Sequence, residues 1–267
     1  MSISRSIPGI IATLALAHLL GATARAVNFA AAVSYTVGSG PHDVAAGDFS
    51  GDGITDLVVV NNLSNNVSIL IGNGDGSFQA AVPYPATLGA PFFVAVGDFN
   101  GDAKLYLAVA NKSSNNLSIL TGNGDGTFGH PTNYVVGSAP SDVAIGDFNG
   151  DGFLDLAITN FSRNNLAIML GVGNGTFQTP SYITAGTNPA GVAVADFNGD
   201  GKADLVESNQ ARSADNVGVF LGNGDGTFQT AATYSAEALA YWSPRISTTT
   251  APPISRWRTS GRIWTCF

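Results

Sequence analysis

A single cysteine, Cys266, stands in the 267 residues, which excludes an intramolecular disulfide and any cysteine-paired metal site. Charge is also scarce, at 11% of residues. Between Val27 and Gln229 five basic residues face 18 acidic ones, which leaves no basic surface for nucleic acid. Only two Met and few Lys or Glu argue against long surface helices. The apolar run Ile10–Leu20 is shorter than the ~20 residues a bilayer span takes. What is plentiful is glycine, 33 residues, set among Val, Ala, Asn and Thr. That mixture belongs to short strands joined by tight turns.

The acids are not scattered. Eleven of the 18 lie in four nine-residue strings that open at Asp48, Asp98, Asp147 and Asp196. The first reads DFSGDGITD, with carboxylates at positions one, five and nine, Ser50 third and Gly53 sixth. This is the opening spacing of an oxygen-lined calcium loop. A hard cation needs several oxygens at ~2.3–2.6 Å, and clustered carboxylates repel one another without one. Position seven contributes a backbone carbonyl, so Ile54, Phe153 and Lys202 serve there whatever their side chains. The second string, DFNGDAKLY, departs from the rule: Ala103 replaces the turn glycine and Tyr106 the ninth carboxylate. Weak or absent calcium is expected at Asp98, Asn100 and Asp102, leaving about three sites.

The strings recur at offsets of 50, 49 and 49 residues, so the chain is a tandem repeat. In the first unit, apolar runs fall at Val44–Phe49, Leu57–Val60, Val67–Ile71 and Ser77–Tyr84. Four short strands in ~50 residues make one antiparallel sheet, and tandem sheets make a β-propeller. The expected fold is all-β, an incomplete propeller with blades at about 43–91, 92–140, 141–189 and 190–235. The acidic loop then joins strands one and two of each blade. Asp75, Asp125 and Asp225, in Asn-Gly-Asp-Gly steps, read as hairpin-turn residues rather than extra ligands. Phe49, Phe99, Phe148 and Phe197, with Phe78, Phe128, Phe177 and Phe228, read as blade-to-blade packing rather than a carbohydrate platform. Residues 28–38 resemble a stray fourth strand, of the kind that closes a ring by completing its last blade.

The ends differ from the repeats. Met1–Ala26 reads as a secretory signal, with Arg5, the apolar run and the small-x-small site Ala24-Arg25-Ala26. The competing reading is an uncleaved anchor. Secretion or a periplasmic location follows, without a membrane span after cleavage, and extracellular calcium is high enough to fill weak sites. Residues 230–267 hold Glu237 as their only acid, four Arg and all three Trp. A fifth loop is due at position 245, where the chain reads SPRISTTTAPPISRWRT from Ser243. Translated one nucleotide earlier, permitted codons for Ser243–Thr259 encode VAADFNNDGTADLAVAN, so this tail reads as a frameshifted fifth repeat. The competing reading is a genuine basic tail with a membrane or anionic partner.

With their D-x-[NS]-x-D-G-x-x-D loops, the units resemble the FG-GAP and VCBS-type repeats of secreted bacterial proteins. They are also similar to the calcium-bearing blades of integrin α-subunits. The resemblance implies calcium at Asp48, Ser50, Asp52 and Asp56, at Asp147, Asn149, Asp151 and Asp155, and at Asp196, Asn198, Asp200 and Asp204. It implies a binding or adhesion scaffold for an extracellular protein or glycan. An enzyme, such as the propeller part of a carbohydrate-active protein, is the alternative, and a truncated product without function is a third reading. No triad spacing or phosphate loop supports catalysis, and His42 and His130 stand alone. Glu207, where other units have Val59, Val109 and Ile158, reads as a solvated strand-end carboxylate.

Overall fold

The computed structural model describes residues 31–84, 89–210 and 216–235. The signal segment, the linker around 85–88 and the tail from 236 onward lie outside the described residues, so the frameshift reading is not addressed by it. The chain divides into two units, Met1–Tyr35 and Thr36–Phe267, and every strand below belongs to the second.

Four antiparallel sheets follow one another. Blade one is β1 (Pro41–Gly47), β2 (Asp56–Asn61), β3 (Asn66–Leu70) and β4 (Val82–Tyr84). Blade two is β5 (Pro91–Gly97), β6 (Tyr106–Asn111), β7 (Asn116–Leu120) and β8 (Thr132–Val135). Blade three is β9 (Pro140–Gly146), β10 (Asp155–Asn160), β11 (Asn165–Met169) and β12 (Ser181–Thr184). Blade four is β13 (Pro189–Ala195), β14 (Asp204–Asn209), β15 (Asn216–Phe220) and β16 (Ala232–Ser235). Strands pair in chain order within each sheet, and the inner strands β1, β5, β9 and β13 pack in succession.

The residues explain these sheets. Side chains alternate across a strand, so each blade presents two apolar faces. Val58, Val60, Val67 and Ile69 of blade one meet Val94, Leu107, Val109 and Leu120 of blade two. Ala108, Leu117 and Ile119 then meet Leu156, Ile158 and Met169, and Leu166 and Ile168 meet Leu205 and Phe220. The core is thus a set of layers between blades, each fully buried Val, Leu or Ile contributing ~1.5–3 kcal/mol of transfer free energy.

The strand boundaries depart from the sequence expectation in informative ways. The inner strand starts at Pro41 and stops at Gly47, because the Phe49 amide bonds the Asp56 side chain instead of a ladder partner. The fourth strand is not continuous from Ser77. Phe78 bridges Gly72, and the register then slips by one residue to the Ile69–Val82 pair, a β-bulge repeated in every blade. Residues 31–37 form no strand, while residues 28–30 and the blade that such a strand would complete lie outside the described residues.

Candidate metal centre

Each acidic loop leaves an inner strand and re-enters at the second strand of the same blade. In the first loop Asp48 folds back over the turn, its carboxylate accepting the amides of Gly51 at 2.7 Å, Asp52 at 3.2 Å and Gly53 at 2.8 Å. Gly53 has φ +80°, a conformation a Cβ disfavours. The Asp52 carboxylate accepts the Ile54 amide. Asp147 and Asp151, and Asp196 and Asp200, repeat this arrangement. The position-three groups join them: Ser50 donates to Asp48, Asn149 to Asp151 and Asn198 to Asp200. Positions one, three and five therefore come together at the loop apex. The Gly53 and Gly51 amides hold Asp48 below the usual carboxylate range, and the Gly201 amide does the same for Asp196.

Position nine lies deeper than positions one, three and five. Asp56, Asp155 and Asp204 are fully buried. Asp56 accepts the amides of Phe49, Ser50 and Gly72 at 2.8, 3.0 and 2.8 Å. Asp155 accepts Phe148 and Gly171, and Asp204 accepts Phe197 and Gly222. These carboxylates tie the loop to the far end of the third strand. Burial, with smaller contributions from Asp151 and Asp147, raises the Asp155 carboxyl against the pull of its two amide donors. Among the described residues no three His, Cys, Asp or Glu side chains are grouped closely enough to hold a metal ion. In chemical kind the donor set of loops one, three and four still fits a hard cation: carboxylate and amide oxygens at positions one, three and five, with the carbonyls of Ile54, Phe153 and Lys202 at seven.

Loop two keeps the turn and the oxygens at positions one, three and five, but not the position-nine carboxylate. Asp98 accepts the Gly101 and Ala103 amides, and Asp102 accepts Lys104. Ala103 is held at φ +66°, a strained value for a residue with a Cβ. Tyr106 is buried and stands edge-on to Phe99 at 5.8 Å, filling with an aromatic ring the place that the other blades give to a carboxylate.

Asp75, Asp125 and Asp225 each bond the amide and hydroxyl two residues on, at Ser77, Thr127 and Thr227. Those hydroxyls hold all three carboxyls low, as turn residues of this kind require. His42 lies against Phe92 at 3.6 Å, and Lys112 sits over the same ring at 4.0 Å.

Two carboxylates escaped the sequence reading. Asp43 accepts the Val94 amide and Asp142 the Val192 amide, each reaching into the next inner strand. Burial pushes Asp142 up to about 7, with a smaller contribution from Asp43. The signal was present as Asp-Val before the first and third inner runs, where blades two and four have Phe93 and Gly191. Glu207 corrects a second reading. It is 1% exposed and faces the blade-three layer, accepting the amides of Gly186 and Asn209, while Oε2 has no hydrogen-bond partner.

Residues 48–109, 98–158 and 147–207 match the FG-GAP-like repeat family. No curated protein matches the chain. Among solved structures, the chain is similar to one described as BBS1N in complex with ARL6DN, at 16% identity and a TM-score of 0.51, covering 76% of this chain and 58% of that one. It is also similar to a putative 6-phosphogluconolactonase from Bacteroides fragilis, at 18% identity and a TM-score of 0.50, covering 67% of this chain and 54% of that one. The chain thus spans little more than half the length of either, and at these identities the likeness concerns the fold alone. Three overlapping matches running from residue 48 to residue 207, over half of the sequence, make this protein a member of the FG-GAP-like repeat family.

Proposed function

We propose that the protein is a secreted β-propeller scaffold, braced by calcium at loops one, three and four, that binds an extracellular protein or glycan. The observation that carries the calcium reading is the division of labour within each of these loops. Positions one, three and five gather at an exposed apex, while position nine ties the loop to the Gly72, Gly171 or Gly222 amide across the blade. A calcium ion supplies positive charge to the apex carboxylates, and the position-nine tie couples their order to the sheet. Loop two, with Tyr106 in place of the tie, stays outside the set. Secretion rests on the composition of Met1–Ala26, and no helix among the described residues is long and apolar enough to cross a membrane.

The test is thermal unfolding of the full chain in calcium and in chelator. An ion that binds the folded state adds ~2.7 kcal/mol at a hundredfold excess over its dissociation constant. Equal melting temperatures in the two conditions refute the calcium reading. Calcium-dependent capture of a glycan or surface protein tests the binding role, and the mass of the exported protein tests cleavage after Ala26.

A further inference from the structure

Every junction between neighbouring blades is built from the same two half-sites. The earlier blade offers a loop phenylalanine, Phe49, Phe99 or Phe148. Its carbonyl accepts the amide of Gly126, Gly175 or Gly226 at 2.8, 3.0 and 2.9 Å. Its ring stands edge-on to Phe128, Phe177 or Phe228 at 5.6, 5.2 and 5.5 Å. The earlier blade also lays a fourth-strand side chain on the same partner ring, Tyr84 on Phe128 and Tyr134 on Phe177. The later blade supplies the turn glycine and the phenylalanine after it.

Blade four carries a whole copy of the first half-site that no described residue covers. Phe197 is 48% exposed and Tyr234 60%, although Phe49, Phe99 and Phe148 are buried. Val206, Val217 and Val219 are only half-buried, whereas Val58, Val67 and Ile69 at the same places in blade one are fully covered by blade two. Blade one carries the turn glycine of the second half-site, Gly76, with Val44 beside it, while Phe78 already has a contact of its own. A Cβ built at Gly76 would meet no atom within 4 Å, while one at Gly126 would strike Ile71 and one at Gly226 would strike Leu170. Val44 is 51% exposed where Val94 and Val143 are buried.

We propose that these two unlike faces meet between two copies of the chain, blade four of each docking on blade one of the other. The interface would repeat a junction that the chain makes three times internally, so its side chains already have a tested register and partner. A contact between unlike faces either propagates or closes, and two copies of four blades close as eight, within the range of four to eight blades that propellers use. Both open faces are then removed at once, which relieves exposed sheet surface of the kind that otherwise invites aggregation. The proposal needs neither calcium nor secretion, so it stands or fails apart from the functional reading above.

Light scattering of the full chain at micromolar concentration is expected to give twice the single-chain mass of 27.2 kDa. Phe197→Asp and Val44→Asp should each return the protein to the single-chain mass, with unchanged far-ultraviolet circular dichroism. An equimolar mixture of the two variants keeps one native junction and should recover the two-copy species. Tyr234→Ser, on the exposed outer strand, should raise the dissociation constant at least tenfold without disturbing the blade. A single-chain mass for the unmodified protein, as expected if residues 236–267 or another protein cover blade four, overturns the proposal. Retention of the two-copy mass by both aspartate variants also overturns it.

Discussion

Replacing Glu207 tests the layered reading of the core most directly. Its place in β14 belongs to Val59, Val109 and Ile158 in the other blades, and its cross-strand partner is Gly218 where they have Ser68, Ser118 and Ala167. The two departures fit each other. A Cβ at Gly218 would come within 2.7 Å of Glu207 Oε1 and 3.0 Å of Cγ. Gly218→Ser should therefore cost ~1–3 kcal/mol as overpacking. Glu207→Val removes the unpartnered Oε2, worth ~1–3 kcal/mol, but strands the Gly186 amide at a similar cost and takes one of two acceptors from the Asn209 side-chain amide, which keeps Asn216. In the double variant Glu207→Val/Gly218→Ser the serine Cβ fills space that the carboxylate vacates. The pair should couple by ~1–3 kcal/mol in a double-mutant cycle, the double variant being more stable than the sum of the singles predicts. Burial raises the Glu207 carboxyl above its ordinary 4.5, so the folded state holds its proton longer than the unfolded chain does. Its stabilising contribution is complete below pH 4.5 and is lost as pH rises through the raised value. Glu207→Gln should match the parent at pH 4 and exceed it at pH 8, by on the order of 1–3 kcal/mol for an unpartnered buried charge. Urea midpoints at the two pH values read all of these variants. Strict additivity of the single variants, or parallel pH dependence of Glu207→Gln and the parent, refutes the reasoning.

Other consequences are separable. Phe99→Ala should cost ~3–5 kcal/mol in urea unfolding, because Phe99 is buried against Phe177 at 5.2 Å, whereas Phe197→Ala in dilute single-chain samples should cost ~1 kcal/mol or less. Ala103→Gly should raise the melting temperature, since it relieves a left-handed conformation that costs a Cβ-bearing residue ~1–2 kcal/mol. Calcium titration by calorimetry should count three sites, unchanged by Asp102→Ala and reduced to two by Asp151→Ala. Stability should fall as pH rises through about 7, where Asp142 ionises in a buried site, and Asp142→Asn should flatten that step in a pH series of urea midpoints.

The blades, their order and their strand count were legible because the repeat advertises itself: each unit restates the same apolar runs, turn glycines and acidic string. The turn role of Asp75, Asp125 and Asp225 followed from backbone chemistry two residues in reach, and the structure places their hydroxyl and amide partners there. Loop two's missing turn glycine and position-nine carboxylate were visible in Ala103 and Tyr106. Other features were not legible. The inner strand's early start at Pro41 and the bulge after each Asp-Gly turn depend on a one-residue slip in register, which no residue pattern marks.

Local chemistry thus sufficed for whatever is settled within a loop or along one strand: the four-strand blade, the tight turns and the oxygen-rich apex of each acidic loop. Tertiary structure alone decided what each side chain faces. It turned Asp56, Asp155 and Asp204 inward as ties across the blade, buried Glu207 opposite a glycine one strand away, and reached Asp43 and Asp142 into the next inner strands. It also made Phe197 unlike its three counterparts. The physical reason is that a period of two assigns a residue to a face, but what covers that face comes from a blade roughly fifty residues away in sequence.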